Sequence, residues 1–152
     1  MEESASFLEL VEVSKQYESP TGEPTTPVLE NINLKVKKGE SLSVVGPSGS
    51  GKSTLLNIMG GLDRPSSGQV HFAGRDLSAL AEHDLARVRN REIGFVFQQH
   101  HLLGQLTALE NVLVPTLMLD DPSKKEHLEE RARDLLTHVG LEKRISYRPG
   151  QL

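Results

Sequence analysis

Residues 46–54 read GPSGSGKST, and this stretch predicts a loop that holds phosphate groups. Gly46, four further residues, and then Gly51, Lys52 and Ser53 match the pattern Gly-x-x-x-x-Gly-Lys-Ser/Thr. The glycines let the loop curl so that successive backbone N–H groups point inward at phosphate oxygens. A helix that begins at the loop adds its unpaired N–H groups and a partial positive charge, both of which favour an anion.

Three side chains of the motif suit different parts of a nucleotide. The ammonium of Lys52 places a point charge on the β- and γ-phosphates. The hydroxyl of Ser53 is a ligand for Mg²⁺, which also takes phosphate oxygens. The hydroxyl of Thr54 is a further donor to phosphate. An ordinary Gly/Ser turn is the alternative interpretation of this stretch, and it needs none of these groups.

The flanking segments favour the phosphate loop. Residues 41–46 (SLSVVG) predict a short apolar strand that runs into the loop. Residues 52–62 have the apolar spacing of a helix at Leu55, Ile58, Met59 and Leu62. Strand, loop and helix in this order predict an α/β fold.

The rest of the chain is predicted to be β-rich before the motif, to mix strands and a helix directly after it, and to be helical in its last third. Residues 18–27 hold three prolines and a glycine and predict a loop, and residues 38–40 predict a turn. The other predicted strands are residues 7–17, 28–36, 69–74 and 92–97, and the next predicted helix is 77–91.

Two more helices are predicted in the last third of the chain. Thr107 with Glu110, and Ser123 with Glu126, are typical of the capping box that begins a helix. Pro115 is expected to kink or end the first of these helices. The apolar stripe predicted for the second helix consists of Leu128, Ala132, Leu135, Leu136 and Val139, with Gly140 as its C-terminal stop.

Composition excludes several classes of protein. The chain has 152 residues, 36% of them hydrophobic and 25% charged, which is typical of one globular domain. It has no cysteine, so disulfides and thiolate metal sites are excluded, and its formal net charge of -4 argues against nucleic acid as a partner. The first ten residues do not have the pattern of a signal peptide, and no apolar run reaches the roughly 18 residues of a membrane span.

Two clusters of basic or metal-binding residue types have ordinary interpretations. Arg87, Arg89 and Arg91 predict a salt-bridged surface, because the net charge does not favour nucleic acid. The pair His100 and His101 lacks a nearby carboxylate or third histidine, so we expect a loop and not a metal site.

Around these motifs the chain resembles the ATP-binding subunits of ABC transporters, and the resemblance covers essentially its whole length. Residues 28–70, from VLENINL through the phosphate loop to SSGQV, look like the run of that family from its antiparallel subdomain to the next strand. IGFVFQ, residues 93–98, resembles the strand that enters the family's Q-loop. GGLD, RPSSG and HHLL followed by TALENV resemble the lipoprotein-releasing branch, with the macrolide-exporter type close to it.

The resemblance implies an α/β P-loop NTPase fold with an N-terminal antiparallel β subdomain, a P-loop core and part of a helical subdomain. It divides the chain into residues 1–45, 46–98 and 99–152. Tyr17 stands where the family has an aromatic ring that stacks on adenine, although packing of a strand-end tyrosine on the core is an alternative. Gln98 corresponds to the Q-loop glutamine, which is a ligand of Mg²⁺ and a partner of the attacking water, and Gln99 is the neighbour that could be mistaken for it. The site implied for ATP and Mg²⁺ comprises Tyr17, Gly46, Pro47, Ser48, Gly49, Ser50, Gly51, Lys52, Ser53, Thr54 and Gln98, with Ser53 and Gln98 at the metal.

The resemblance also implies partners. Two ATP-binding subunits of the family sandwich ATP, and their closure drives a separate membrane permease. A homodimer of the full-length protein on the cytoplasmic face of the inner (plasma) membrane is therefore expected, with residues 99–106 facing the permease. The implied function is transport or membrane extraction of a lipoprotein or another peptide-like or amphipathic substrate.

Several parts of a complete ABC ATPase do not follow Gln98 in this sequence. A signature loop, a strand ending in the Walker B aspartate, a catalytic glutamate and a switch histidine are all lacking. YRPGQL, residues 147–152, resembles the lead into the signature loop, with Leu152 as its first residue. The expectation is a fragment with negligible ATP hydrolysis of its own, in which the strand at 41–45 lacks its usual neighbour and exposes an apolar edge.

Two other functions stay open. A non-transport ABC-type ATPase is disfavoured by the HHLL and TALENV match and by the lack of the insertions that such proteins carry. A P-loop small-molecule kinase is disfavoured by the β-rich segment before the loop and by FVFQ after it. Co-purification with a membrane permease would distinguish the transporter from both.

Overall fold

The structure, a computed structural model, describes residues 6–18, 26–98, 101–118 and 125–152. The chain divides between Ile93 and Gly94 into two compact units. The first unit contains the sheet and the phosphate-loop sequence, and the second unit is helical.

The sheet of the first unit has four antiparallel strands in the order β2-β1-β3-β4. Because every described strand pair is antiparallel, the predicted N-terminal antiparallel subdomain is confirmed. The strands are β1 Leu8–Lys15, β2 Leu29–Val36, β3 Ser67–Phe72 and β4 Arg75–Asp76.

The central strand β1 contains a bulge that the sequence pattern does not reveal. Leu10 pairs with Leu34 and Val70, and the register shifts before Val13 pairs with Ile32. Glu12 between them has φ +51°, so its backbone is left-handed. The extra residue turns both Leu10 and Val13 toward the core, where they are buried, although strict alternation would place them on opposite faces.

Two helices of the first unit close the core. Helix α1, Lys52–Met59, contributes Ile58, and helix α2, Glu82–Glu92, contributes Leu85 and Val88. Acidic residues lie in the first turn of α2 and arginines in its last turn, which complements the helix dipole. The buried cluster consists of Leu10, Val13, Leu29, Ile58, Val70, Phe72, Leu77, Leu85 and Val88.

The strands predicted at residues 41–46 and 92–97 are not formed. Glu92 is the last residue of α2, and the remaining residues of both segments have no strand pairing among the described residues. Val45 and Val96 are 87% and 102% exposed, so neither segment is buried like an inner strand. The reason is that apolar β-branched sequence favours strand geometry, but a strand also requires a neighbouring backbone to pair with.

The second unit begins its helices at the predicted capping box. The hydroxyl oxygen of Thr107 accepts from the Glu110 N–H at 3.2 Å, and the Thr107 N–H donates to the Glu110 carboxylate at 2.7 Å. Helix α3, Ala108–Leu113, ends before Pro115 and continues as a 3₁₀ helix, Val114–Met118, so the expected effect of this proline is confirmed. The later elements are helix α4, Lys125–His138, and the 3₁₀ turns Glu142–Arg144 and Pro149–Gln151.

The apolar stripe of α4 is narrower than predicted. Ala132 and Leu136 are buried, whereas Leu135 and Val139 are 51% and 69% exposed. The buried positions Ala132 and Leu136 are four residues apart on one face, Leu135 lies beside that face, and Val139 follows the last residue of the helix, His138. Gly140 has φ +75° and ends the helix as expected.

The second predicted capping box, Ser123 with Glu126, lies outside the described residues. No helix in the described part of the chain is long and apolar enough to span a membrane.

Candidate functional site

The loop at residues 46–51 needs glycine most strongly at Gly51. This residue is the N-cap of α1 and has φ +82°, in the left-handed region. A Cβ atom here would lie 2.8 Å from the backbone oxygen of Val28 and 2.9 Å from Leu29 Cδ2. The loop therefore passes directly against the start of β2, and only glycine satisfies both the backbone conformation and the space.

The Lys52 ammonium lies inside the loop. Its Nζ donates to the backbone oxygen of Pro47 at 2.5 Å and approaches Ser50 Oγ at 3.4 Å. The Ser50 N–H in turn faces the Pro47 oxygen at 3.4 Å. These contacts hold the cation against the loop backbone, and Lys52 also lines the cavity at the start of α1.

The N-terminus of α1 has no negative group of its own. It makes no side-chain cap hydrogen bond, and its first turn contains no acidic residue. Helix α2 differs, because Glu82 and Asp84 lie in its first turn. The dipole and the N–H groups at the start of α1 are thus available for an external anion.

An open cavity of about 260 Å³ lies at this helix terminus. Its lining residues supply backbone N–H groups, the hydroxyls of Ser48, Ser53 and Thr54, and the Lys52 ammonium, which are donors that fit the oxygens of a polyphosphate. Gly46, Pro47 and Ser50 belong to the same loop but not to the lining. The lining residues are Val28, Ser48, Gly49, Gly51, Lys52, Ser53 and Thr54.

Tyr17 lies at the end of β1 and outside the lining of this cavity. The residue is 45% exposed, which disagrees with the alternative of a core-packed tyrosine. Its hydroxyl donates to Asp63 Oδ2 at 2.9 Å, and Lys15 Nζ lies 4.8 Å from the ring centroid. Tyr17 is therefore an exposed ring that is held in one orientation.

Asp63 is a residue that sequence reasoning missed. Burial alone would raise the pKa of its carboxyl, but hydrogen bonds from Lys15, Tyr17 and the Arg64 N–H hold that pKa below its usual value. The available signal was its position in GGLD, directly after α1, but its partners lie about 50 residues earlier in the sequence.

Gln98 belongs to the second unit and is exposed. The rings before it contact each other: Phe95 and Phe97 stack with centroids 5.5 Å apart, and Phe97 meets His101 edge to face at 4.8 Å. Gln99 and His100 lie outside the described residues. His101 is exposed, and the described residues contain no cluster of metal-ligating side chains.

Asn111 organises the segment that follows Gln98, and it too was missed. Its Oδ1 accepts from the Leu103 N–H at 2.8 Å. Its Nδ2 faces the backbone oxygens of Leu103, Leu106 and Thr107 at 3.0–3.2 Å. A single side chain thus fixes residues 103–107 against α3, in the stretch predicted to face a membrane partner.

The arginines of α2 form the expected ion-paired surface at Arg89. This side chain donates to Glu82 Oε1 at 2.9 Å and to the Gly61 backbone oxygen at 2.8 Å. Arg64 joins the same network through Glu82, whose Oε2 lies 3.6 Å from Arg64 Nη2, and it also donates to the backbone oxygens of Ser78 and Leu80. These contacts tie the turn after α1 to the N-terminus of α2.

Comparison with known proteins agrees with this geometry. The sequence profile of the family described as ABC transporter matches residues 29–152. The lipoprotein-releasing system ATP-binding protein LolD of Geobacter metallireducens is 50% identical over 148 residues, which are 97% of this chain and 64% of that protein. The macrolide export ATP-binding/permease protein MacB of Salmonella choleraesuis is 47% identical over 97% of this chain and 22% of its own length.

A solved structure has the same fold. The dimeric, post-hydrolysis state of the ATP-binding cassette MJ0796 bound to ADP and Pi superposes with a TM-score of 0.84 and 41% identity, covering 95% of this chain and 62% of that one. The chain thus spans just under two thirds of the length of LolD and of this cassette. The phosphate-loop geometry, the family profile and these relatives together show that the chain belongs to the ABC transporter family, with an α/β P-loop NTPase fold.

Proposed function

We propose that this chain binds ATP with Mg²⁺ at residues 46–54 and serves as the ATP-binding part of an ABC transporter. The observation that carries the proposal is the cavity at the start of α1, which is lined by donors and has no acidic residue in the helix's first turn. A polyphosphate supplies the negative charge that this terminus lacks.

Each predicted residue has a role in this proposal. Lys52 pairs with the β- and γ-phosphates, and the loop N–H groups and Thr54 hydrogen-bond phosphate oxygens. Ser53 and Gln98 are ligands of Mg²⁺, which neutralises phosphate charge when bound, and Gln98 also orients water. Tyr17 stacks on adenine.

The partners follow from the relatives. LolD is an ATP-binding protein of a lipoprotein-releasing system, MacB joins an ATP-binding part to a permease, and the MJ0796 cassette is dimeric. By analogy, we propose that this chain dimerises and acts with a separate permease at the cytoplasmic face of a membrane. A lipoprotein or a similar amphipathic or peptide-like molecule is the proposed substrate.

Calorimetric titration with MgATP tests the binding site. Lys52→Ala removes the ammonium inside the loop, so MgATP binding is expected to disappear from the titration. Lys38→Ala is the matched control, because Lys38 is an exposed lysine on the turn after β2 and its loss changes the net charge equally. Equal MgATP affinity in Lys52→Ala and in the wild type would contradict the proposal.

Co-expression with a candidate permease tests the transporter role. Affinity purification of the permease in detergent is expected to retain this chain. Retention should fall when Asn111→Ala releases residues 103–107, if this stretch faces the permease. A chain that binds ATP but is retained by no permease from either related branch would favour a non-transport ATPase.

A further inference from the structure

Lys15, Tyr17 and Asp63 form a cluster between the end of β1 and the turn after α1. The Tyr17 hydroxyl donates to Asp63 Oδ2 at 2.9 Å, and Lys15 Nζ donates to Asp63 Oδ1 at 2.6 Å. The two oxygens of one carboxylate therefore hold two side chains from the same strand end. The cluster lies outside the lining of the phosphate cavity, and the phosphate-binding argument makes no use of it.

The carboxylate is itself held by the backbone. The Arg64 N–H donates to Asp63 Oδ1 at 2.7 Å, and Lys15 Nζ also donates to the Arg64 backbone oxygen at 2.7 Å. The side chains of Lys15 and Asp63 are 12% and 27% exposed. A partly buried charge pair with this many hydrogen bonds has a narrow range of geometries.

The Tyr17 ring is restrained at two points as a result. Its hydroxyl is bound to Asp63, and Lys15 Nζ lies 4.8 Å from its centroid, within the range of a cation–π contact. A ring that is already restrained before the ligand arrives loses less conformational freedom when the ligand binds. Because Asp63 holds Lys15 as well, it also determines where the cation lies relative to the ring.

We propose that Asp63 is a positioning residue of the nucleotide site, which orients Tyr17 for stacking on the base. This inference rests on the proposed function, in which Tyr17 meets adenine. Asp63 contacts the Tyr17 hydroxyl and does not line the phosphate cavity, so its contribution to binding is expected to be specific to the base-bearing part of the ligand. A purely structural tie between β1 and the turn after α1 would lack that specificity.

Titration with two ligands separates these roles. MgATP carries a base, and magnesium inorganic triphosphate carries only the phosphates. Tyr17→Phe removes the hydroxyl and keeps the ring, and Asp63→Ala removes the carboxylate. We expect each variant to bind MgATP about three- to tenfold more weakly and triphosphate within about twofold of the wild type. The double variant should be about as weak as either single one, because both remove the same restraint.

Asp76→Ala serves as the control for structural damage. Asp76 accepts a backbone hydrogen bond from the Ser78 N–H at 2.8 Å in the same unit, so its loss costs local structure without touching Tyr17. We expect it to leave the ratio of the two affinities unchanged.

Three outcomes would overturn the inference. The first is an MgATP affinity that is unchanged in Asp63→Ala and Tyr17→Phe. The second is an equal loss of affinity for MgATP and for triphosphate. The third is a loss of MgATP affinity in the double variant that equals the sum of the two single losses. If Lys52→Ala still abolishes MgATP binding in the same series, only the positioning role fails and the proposed function stands. If Asp63→Ala does not fold, Tyr17→Phe alone decides between the outcomes.

Discussion

Lys52 Nζ lies 2.5 Å from the backbone oxygen of Pro47, so the ammonium closes the phosphate loop on itself across five residues. The contact is exposed to solvent. A solvent-exposed contact of this kind contributes little to folding, because water competes for both partners. The cation is therefore in place for a ligand while the stability of the fold depends on other residues.

Lys52→Ala is accordingly expected to separate binding from folding. Its free energy of unfolding should lie within about 1 kcal/mol of the wild type, because only an exposed hydrogen bond is lost. Urea denaturation followed by circular dichroism measures this. A loss of more than about 2 kcal/mol would mean that the lysine is part of the structure and that missing ATP binding reflects unfolding.

Gly51→Ala is expected to destabilise the chain by about 2–4 kcal/mol, since it adds a clash to an unfavourable left-handed backbone. The new Cβ would meet the Val28 oxygen at 2.8 Å and Leu29 Cδ2 at 2.9 Å. The measurement is again the free energy of unfolding in urea.

Gly39→Ala is the matched control for this change. Gly39 has φ +81°, nearly that of Gly51, but its added Cβ would have nothing within 4 Å. Gly39→Ala should therefore lower the free energy of unfolding by about 1–2 kcal/mol, because only the left-handed backbone conformation is unfavourable for alanine. Equal losses in the two variants would show that the close approach to β2 is unimportant.

The Asp63 cluster predicts a loss of stability in acid. Burial opposes ionisation, but hydrogen bonds from Lys15, Tyr17 and the Arg64 N–H lower the pKa of Asp63 in the folded chain. In the unfolded chain the pKa is about 3.9. The stability from this group is therefore complete above the unfolded pKa and is lost as the pH falls through the folded one.

Comparison of the wild type with Asp63→Asn at several pH values isolates this effect. The difference in urea midpoint between the two proteins should be largest near pH 7 and should shrink as the pH falls below about 4. A difference that stays constant down to about pH 3 would contradict the ionised pairing. Glu9, Glu82 and Glu110 also have lowered pKa values. Their contribution to the pH dependence is the same in both proteins and cancels when the two urea midpoints are subtracted.

Asn111→Ala is expected to release residues 103–107. The side chain satisfies the Leu103 N–H and three backbone oxygens, so its removal should cost about 1–3 kcal/mol. Hydrogen exchange of the Leu103 amide should quicken by at least about tenfold. Gln105→Ala, a change at an exposed position of the same loop, should leave that exchange rate unchanged.

Motifs and helix ends were predictable from the sequence because each depends on residues that are close together in the chain. The phosphate-loop motif, the Thr107–Glu110 capping box, the stop at Pro115 and the glycine end of α4 all follow from spacings of a few residues. The family resemblance, confirmed by the comparisons, rests on such motifs in order. The division into residues 1–45, 46–98 and 99–152 and the roles of Tyr17 and Gln98 stay predictions.

Long-range contacts were not predictable in the same way. The bulge at Glu12 changes which residues of β1 face the core, and it depends on pairing with two other strands. The segments 41–46 and 92–97 have apolar sequence but no strand pairing in the described residues. The prediction of two strands from β-propensity alone was therefore wrong.

The sequence by itself determined the phosphate loop, the start of α3, the ends of α3 and α4, and the family, because each depends on local backbone conformation or on ordered short motifs. The start of α2 was predicted at residue 77, but the helix begins at Glu82. Only the tertiary structure decided that Gly51 must be glycine on account of Val28, and that Asp63 holds Lys15 and Tyr17. These contacts join residues that are 23 to 48 positions apart. No spacing in the sequence encodes such a meeting, since it exists only once the sheet and α1 have packed together.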